Sequence, residues 1–239
     1  VTLLTRFVGG AVAGTLADRW GRRLPLMLSI LWFSLFAGLS GFSTSYAMLF
    51  GFRALFGIGM GGEWASGAAL VSETWRAEDR GKALGFMQSA WAVGYALAAI
   101  VAWFVQDMLG LSWRAVFLAG IAPALYAFWV RRHVPEPAMW HAARAEATPL
   151  SASLRQVFTG RMLGVTLALT LMNASTMFAW WGFNTWVPSY LRQPVTEGGV
   201  GLSSGAMSFF VVAMQVGMWF GYVTFGFVSD AIGRKRTYI

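Results

Sequence analysis

The sequence predicts an all-α membrane protein that crosses the bilayer several times. Three observations carry the prediction: a shortage of charge, seven apolar runs of bilayer length, and basic residues gathered in alternate loops. Only 12% of the residues are charged, while 57% are hydrophobic. A soluble domain carries about a quarter charged residues. Cysteine is absent, so neither a disulfide framework nor a thiolate metal site is available. The chain opens on Val1 with no charged n-region or cleavage site, and is expected to begin inside a longer sequence.

The apolar runs cover 1–17, 24–42, 47–72, 83–105, 113–130, 162–191 and 203–229. Each approaches or exceeds the roughly 17–25 residues that span hydrocarbon. Glycine is frequent within them, which would weaken a soluble helix but lets membrane helices pack closely. Gly10 with Gly14, Gly57 with Gly61, Gly62 with Ser66, and Gly217 with Gly221 all show the four-residue spacing of such contacts.

Orientation follows from the basic residues. If each run crosses once, stretches 19–23, 76–82, 131–161 and 234–236 share one side and hold 14 of the 18 Lys and Arg residues. The opposite loops hold only Arg114 and Arg192, and Arg6 and Arg53 fall within the runs. By the positive-inside rule the basic side is cytoplasmic. The formal charge of +8 is thus a topology signal rather than a sign of nucleic-acid binding. Residues 132–160, with Pro135, Pro137, Pro149, His133 and His141, read as a cytoplasmic linker, partly amphipathic helix. It separates a first bundle, 1–131, from a second, 161–239.

An internal repeat links the two. Residues 6–24 and 218–236, offset by 212, share Gly9/Gly221, Gly14/Gly226, Asp18/Asp230, Gly21/Gly233 and Arg22/Arg234, with Arg23 matched by Lys235. Such a repeat on one membrane face implies two similar six-helix halves. The pattern Gly14, Asp18, Arg19, Gly21, Arg22, Arg23 resembles the signature loop of the major facilitator superfamily. The second copy departs from it at Ala231. Arg53, Gly57, Gly59 and Gly61 resemble the fourth-helix motif of that family's sugar and organic-acid branches. Glu73 with Arg80 and Gly81 resembles the following loop, and Val134–Pro137 with Trp140 the segment after helix six. The resemblance covers the whole chain and implies a major facilitator fold, here helices 2 to 8 of 12. It implies a multi-pass protein of the plasma membrane, the bacterial inner membrane in particular. Seven spans alone would also suit a receptor or a retinal protein. However, the two lysines, Lys82 and Lys235, lie in cytoplasmic loops, where no retinal Schiff base can form.

Charges within hydrocarbon are costly and mark function by default. At about 1.5 Å per residue, Arg6 sits roughly 18 Å above Asp18 and Glu63 roughly 14 Å above Ser72, both near the midplane. Arg53 lies about 15 Å further along than Glu63, near the outer surface, and is a further candidate for substrate binding or proton coupling, the alternative being an outer-rim residue. An arginine holds a carboxylate through two parallel hydrogen bonds. Burial favours the neutral form of an acid, so Glu63 is placed to gain and lose a proton. The competing structural reading is that Arg6 and Glu63 only neutralise each other. Residues 180–188 are expected to interrupt helix seven, with Asn184 and Asn173 as polar contacts to substrate and Gln88 and Gln215 as weaker ones. Asp18, Arg19, Arg22, Arg23, Glu73 and Arg80, with Asp230, Gly233, Arg234 and Lys235 of the second copy, are expected to form a gating charge cluster at the cytoplasmic face. Gly14 and Gly21 belong to the same element.

Helix five lacks the Gly-Pro-x-x-Gly-Gly element of drug antiporters. Gly61, Gly62, Glu63 and Trp64, together with 85–88, resemble the metabolite and sialate:proton symporters. The resemblance implies proton-coupled uptake of a small organic anion, of monocarboxylate or sialate type, by alternating access. A sugar or osmolyte carrier, a receptor-like member that no longer transports, and a truncated non-functional product are the alternatives. No nucleophile–base pair, metal-ligand cluster or phosphate loop stands out, so no enzyme and no cofactor is expected. The expected partners are the organic anion, protons and the lipid bilayer; an oligomer is not implied.

Overall fold

The first helix, α1, covers Thr2–Trp20 and stops at Gly21, whose φ of 98° ends it in the left-handed region that glycine tolerates. The computed structural model describes residues 1–144, 155 and 157–238, and among these there is no strand. The stretch 145–154 and residue 156, within the expected 132–160 linker and including Pro149, lie outside the described residues.

Helix α2 covers Arg23–Gly41, and α3 covers Tyr46–Thr74. The start of α3 is capped by Ser45, whose hydroxyl accepts the Met48 N–H at 3.2 Å. Next come α4, Arg80–Trp103, and a π-turn over Phe104–Met108. The run expected at 113–130 is two helices, α5 (Trp113–Ala119) and α6 (Pro123–His133). The reason is Pro123: without an N–H it cannot continue the preceding helix, yet it suits the first turn of a new one. A short α7 covers Ala138–Arg144, followed by α8 over Gly160–Arg192, α9 over Ser204–Ile232 and α10 over Arg234–Tyr238.

The expected break in the seventh span is absent. Residues 180–188 lie inside the continuous α8, with Pro188 accommodated one turn before its end. Pro188 cannot donate to the Asn184 carbonyl four residues back, and the helix continues for one further turn.

Among the described residues, five segments are long and apolar enough to cross a membrane: Arg23–Gly41, Arg80–Met108, Trp113–His133, Met162–Arg192 and Ser204–Ile232. The two remaining runs are helical but less apolar. α1 carries Arg6, Asp18 and Arg19, and α3 carries Arg53, Glu63 and several glycines. These two are also the helices that approach each other most closely. A Cβ on Gly9 would collide with the Ile58 carbonyl, one on Gly57 with Thr2, and one on Gly61 with the Arg6 carbonyl. On its other side α3 meets α2, where a Cβ on Gly59 would lie 2.8 Å from the Phe33 nitrogen. Among the described residues, a Cβ on Gly14, Gly217 or Gly221, expected to pack in the same way, would meet no other helix within 4 Å.

The chain divides into two units, Val1–Ala145 with Val212–Ile239, and Glu146–Val211. In the first, Leu26 and Ile30 of α2 pack on Ala127 and Val130 of α6. There too, the end of α9 crosses α4 at a glycine pair: a Cβ on Gly226 would lie 2.9 Å from the Lys82 Cα, and one on Gly85 2.9 Å from the Tyr222 carbonyl. In the second unit, the loop after α8 folds back on it, with the Leu202 N–H donating to the Leu191 carbonyl at 2.8 Å. Large side chains such as Phe7 (81% exposed) and Phe178 (85%) point outward. In water such a surface would drive aggregation; against lipid tails it costs nothing.

Candidate functional site

Two charged assemblies stand on this frame. The inner one lies where α1, α3 and α4 meet. Arg6 on α1 and Glu63 on α3 are both half-buried and lie within electrostatic reach of each other, without an ion pair inside 4 Å. The guanidinium of Arg6 sits over the indole of Trp91 on α4, 5.4 Å from the ring centroid. The glycine contacts of α1 and α3 make this possible, because Gly61 lets the Arg6 backbone approach. Beside Glu63, the Trp64 Nε1 donates to Gln88 Oε1 on α4 at 3.4 Å.

Arg53 does not join this group. Its guanidinium lies over Phe56 at 4.3 Å and Phe117 at 5.7 Å, and its carbonyl accepts the Thr2 hydroxyl at 3.1 Å. Asn184 is 2% exposed and belongs to the second unit. Its Nδ2 donates to the Trp180 carbonyl one turn back, at 2.9 Å.

The outer assembly surrounds the α1–α2 turn. Arg22 grips Glu73, at the end of α3, side-on: Nε donates to Oε2 at 2.9 Å and Nη2 to Oε1 at 2.6 Å. Its third arm, Nη1, reaches Asp18 Oδ1 at 2.5 Å. The hydrogen bonds to Glu73 foremost hold the Arg22 guanidinium above its ordinary value; burial opposes them and Asp18 adds to them. The side chains of Arg22 and Glu73 are 13% and 19% exposed, so this pair is largely withdrawn from water, whereas Asp18 is 66% exposed.

Glu136 completes the outer assembly, and sequence reasoning missed it as a site residue. Its carboxylate accepts the backbone N–H groups of Arg22 at 2.8 Å and Arg23 at 3.1 Å, the unpaired donors at the start of α2. Arg23 answers by donating to the carbonyls of Val134 at 3.3 Å and Arg131 at 3.4 Å. Trp140 Nε1 donates to the Asp18 carbonyl at 3.0 Å. The beginning of the expected linker is therefore packed onto the α1–α2 turn. The available signal was the acid held between Pro135 and Pro137, a rigid pair that fixes where the carboxylate points.

Arg80 stands at the edge, donating to the Trp75 carbonyl at 3.2 Å and to Met139 Sδ at 3.3 Å. Arg19 is exposed, and Gly14 has open space beside it. In the second copy, Gly233 repeats the turn of Gly21 with φ 93° against 98°. Asp230 and Lys235 are exposed, and the Arg234 backbone begins α10.

Apolar helices crossing at glycines, with an arginine and a glutamate inside and a charge cluster at one end, define a polytopic membrane protein. The sequence profile of the Major Facilitator Superfamily matches residues 1–239. A Cupriavidus pinatubonensis protein described as a probable 4-methylmuconolactone transporter is 40% identical over 100% of this chain and 55% of its own length. The sialic acid transporter NanX of Escherichia coli is 30% identical over 100% of this chain and 56% of its own. The cis,cis-muconate transport protein of Acinetobacter baylyi is 30% identical over 99% of this chain and 57% of its own. The Escherichia coli proton:xylose symporter XylE shares the fold, with a TM-score of 0.73 at 20% identity, covering 98% of this chain and 59% of XylE. The chain belongs to the Major Facilitator Superfamily and is a multi-pass membrane protein. It spans a little over half the length of the curated relatives it matches.

Proposed function

We propose that the full-length protein is a secondary active transporter that takes up a small organic anion together with a proton, by alternating access. The observation that supports this best is the placement of Arg6 and Glu63, within electrostatic reach of each other, on the two helices that cross at Gly61. With Glu63 ionised the pair is neutral, and an incoming carboxylate would add an uncompensated charge, costing several kcal/mol in a low-dielectric interior. With Glu63 protonated, Arg6 is free to bind that carboxylate and the site is neutral again. Anion and proton therefore enter together, one for one at this site. The relatives named for organic acids support an anionic substrate.

In the same reading Arg22, Asp18, Glu73 and Glu136 lock the cytoplasmic ends of α1, α2 and α3 to the segment after α6 in one conformation. Transport requires this lock to open and re-form. Arg53 holds the outer end of the α1–α3 pair, and Asn184 is a polar contact for substrate from α8.

The test is uptake of labelled lactate, sialate and a neutral sugar into proteoliposomes holding the full-length protein, with and without a protonophore. Acid uptake that collapses without the proton gradient, and a Glu63→Gln variant that exchanges anion but no longer accumulates it, are the expected results. Uptake of the sugar alone, or of acid regardless of the gradient, would overturn the proposal.

A further inference from the structure

We infer that the last turn of α6 is a binding site for an anionic phospholipid. Its acyl chain lies along the exposed aromatic face of the helix, and its phosphate lies on Arg131, Arg132 and His133. The site is separate from Arg6 and Glu63 and holds whatever the substrate of the protein is.

The sequence of α6 sorts its residues by face. Ala127 and Val130 are buried against Leu26 and Ile30 of α2. The rest of the surface carries two columns with helical spacing, Leu125, Phe128 and Arg132 in one, Tyr126, Trp129 and His133 in the other. All six side chains are exposed. The second column is a stack of rings. Tyr126 and Trp129 lie 5.2 Å apart at 17°, and Trp129 and His133 5.0 Å apart at 21°. His133 Nδ1 lies 3.0 Å from the Trp129 carbonyl, which holds the last ring in line. Stacked rings make a stiff wall roughly 10 Å long, along which an extended acyl chain packs. Tyrosine and tryptophan also belong where hydrocarbon gives way to lipid headgroups.

Both columns end on polar nitrogen at the side that the positive-inside rule makes cytoplasmic. Arg131 adjoins them, and Arg23 of α2 donates to the carbonyls of Arg131 and Val134. Arg23, Arg131 and Arg132 thus meet at one helix end. Among the described residues, no carboxylate comes within 4 Å of these guanidiniums or of His133. Glu136, the next acid along the chain, is engaged by the backbone N–H groups of Arg22 and Arg23. Arg22 makes the contrast, since it is paired with both Asp18 and Glu73. The C-terminus of α6 offsets only about half an elementary charge of the three. A phosphodiester brings a full negative charge to that place. A zwitterionic headgroup brings its own ammonium with it and gains little. A soluble anion meets the same cations but leaves the aromatic columns unused, so the arrangement fits a lipid.

The test is titration of the purified full-length protein in detergent with phosphatidylglycerol and, separately, with phosphatidylethanolamine of the same acyl chains. Native mass spectrometry counts the lipid bound. Phosphatidylglycerol is expected to bind about twentyfold tighter, from two guanidiniums at about fivefold each. Arg131→Gln combined with Arg132→Gln should bring that ratio to within about twofold. Trp129→Ala should weaken both lipids and leave their ratio in place. Arg76→Gln removes a charge that is 80% exposed in another loop of the same side, and should leave the ratio unchanged. Equal affinity of the wild type for the two lipids would overturn the inference. So would a ratio untouched in the double variant, or one lowered as much by Arg76→Gln, which would mean diffuse attraction to the whole basic face. Trp129→Ala without effect on either lipid would overturn the part given to the aromatic columns. Should the double variant fail to fold, Arg132→Gln alone, expected to lower the ratio about fivefold, decides the matter.

Discussion

The Glu136 carboxylate fills the space that a side chain at Gly21 would need: a Cβ there would lie 2.6 Å from Oε1. The turn between the first two helices is thus moulded by a residue more than a hundred positions later. The positive φ of Gly21 and the seat of Glu136 are one requirement met by one glycine.

Gly21→Ala should therefore be costly. The left-handed backbone penalises Cβ by roughly 1–2 kcal/mol, and displacing Glu136 adds about as much again. Thermal unfolding of the full-length protein in detergent compares Gly21→Ala with the wild type. An unchanged Tm would contradict the structure.

Arg22 should couple unequally to its two acids. A double-mutant cycle with Glu73, using Arg22→Gln and Glu73→Gln, should give about 1–3 kcal/mol for this largely desolvated fork. The cycle with Asp18, which is mostly exposed, should give under about 1 kcal/mol. A reversed order would show that the chain-local pair carries the cluster.

The pH dependence of the Arg22 contribution follows from its sign. A base whose folded value is raised stabilises fully below its unfolded value and loses that contribution only as pH rises through the folded one. Arginine loses its proton far above any working pH. The difference in Tm between wild type and Arg22→Gln should therefore stay level from about pH 6 to about pH 9. A decline across that window would mean that another group controls the cluster.

Gly61→Val tests the frame beneath the inner site. Its side chain would run into the Arg6 carbonyl and force α1 away from α3. Uptake should fall at least about tenfold, since a displacement near 1 Å is enough to spoil a binding geometry. A variant that folds but still takes up substrate at the wild-type rate would contradict this role for the crossing.

The helical class, the membrane, the basic face and the repeat were all legible in the sequence, because hydrophobic runs and loop charges are local properties. So was the candidacy of Arg6 and Glu63, since a charge inside an apolar run stands out without any knowledge of its neighbours. Tertiary structure decided the rest. It split the fifth expected span at Pro123 and kept α8 continuous through residues 180–188, because both outcomes depend on where a missing N–H falls relative to a helix end. It showed what Gly57 and Gly61 meet, Thr2 and the Arg6 carbonyl, because spacing names a candidate contact and only the neighbouring backbone identifies the partner. It also brought Glu136 to the start of α2 and Trp91 beneath Arg6. Apolar periodicity says that a residue is inside the membrane; only helix packing says which distant side chain it meets there.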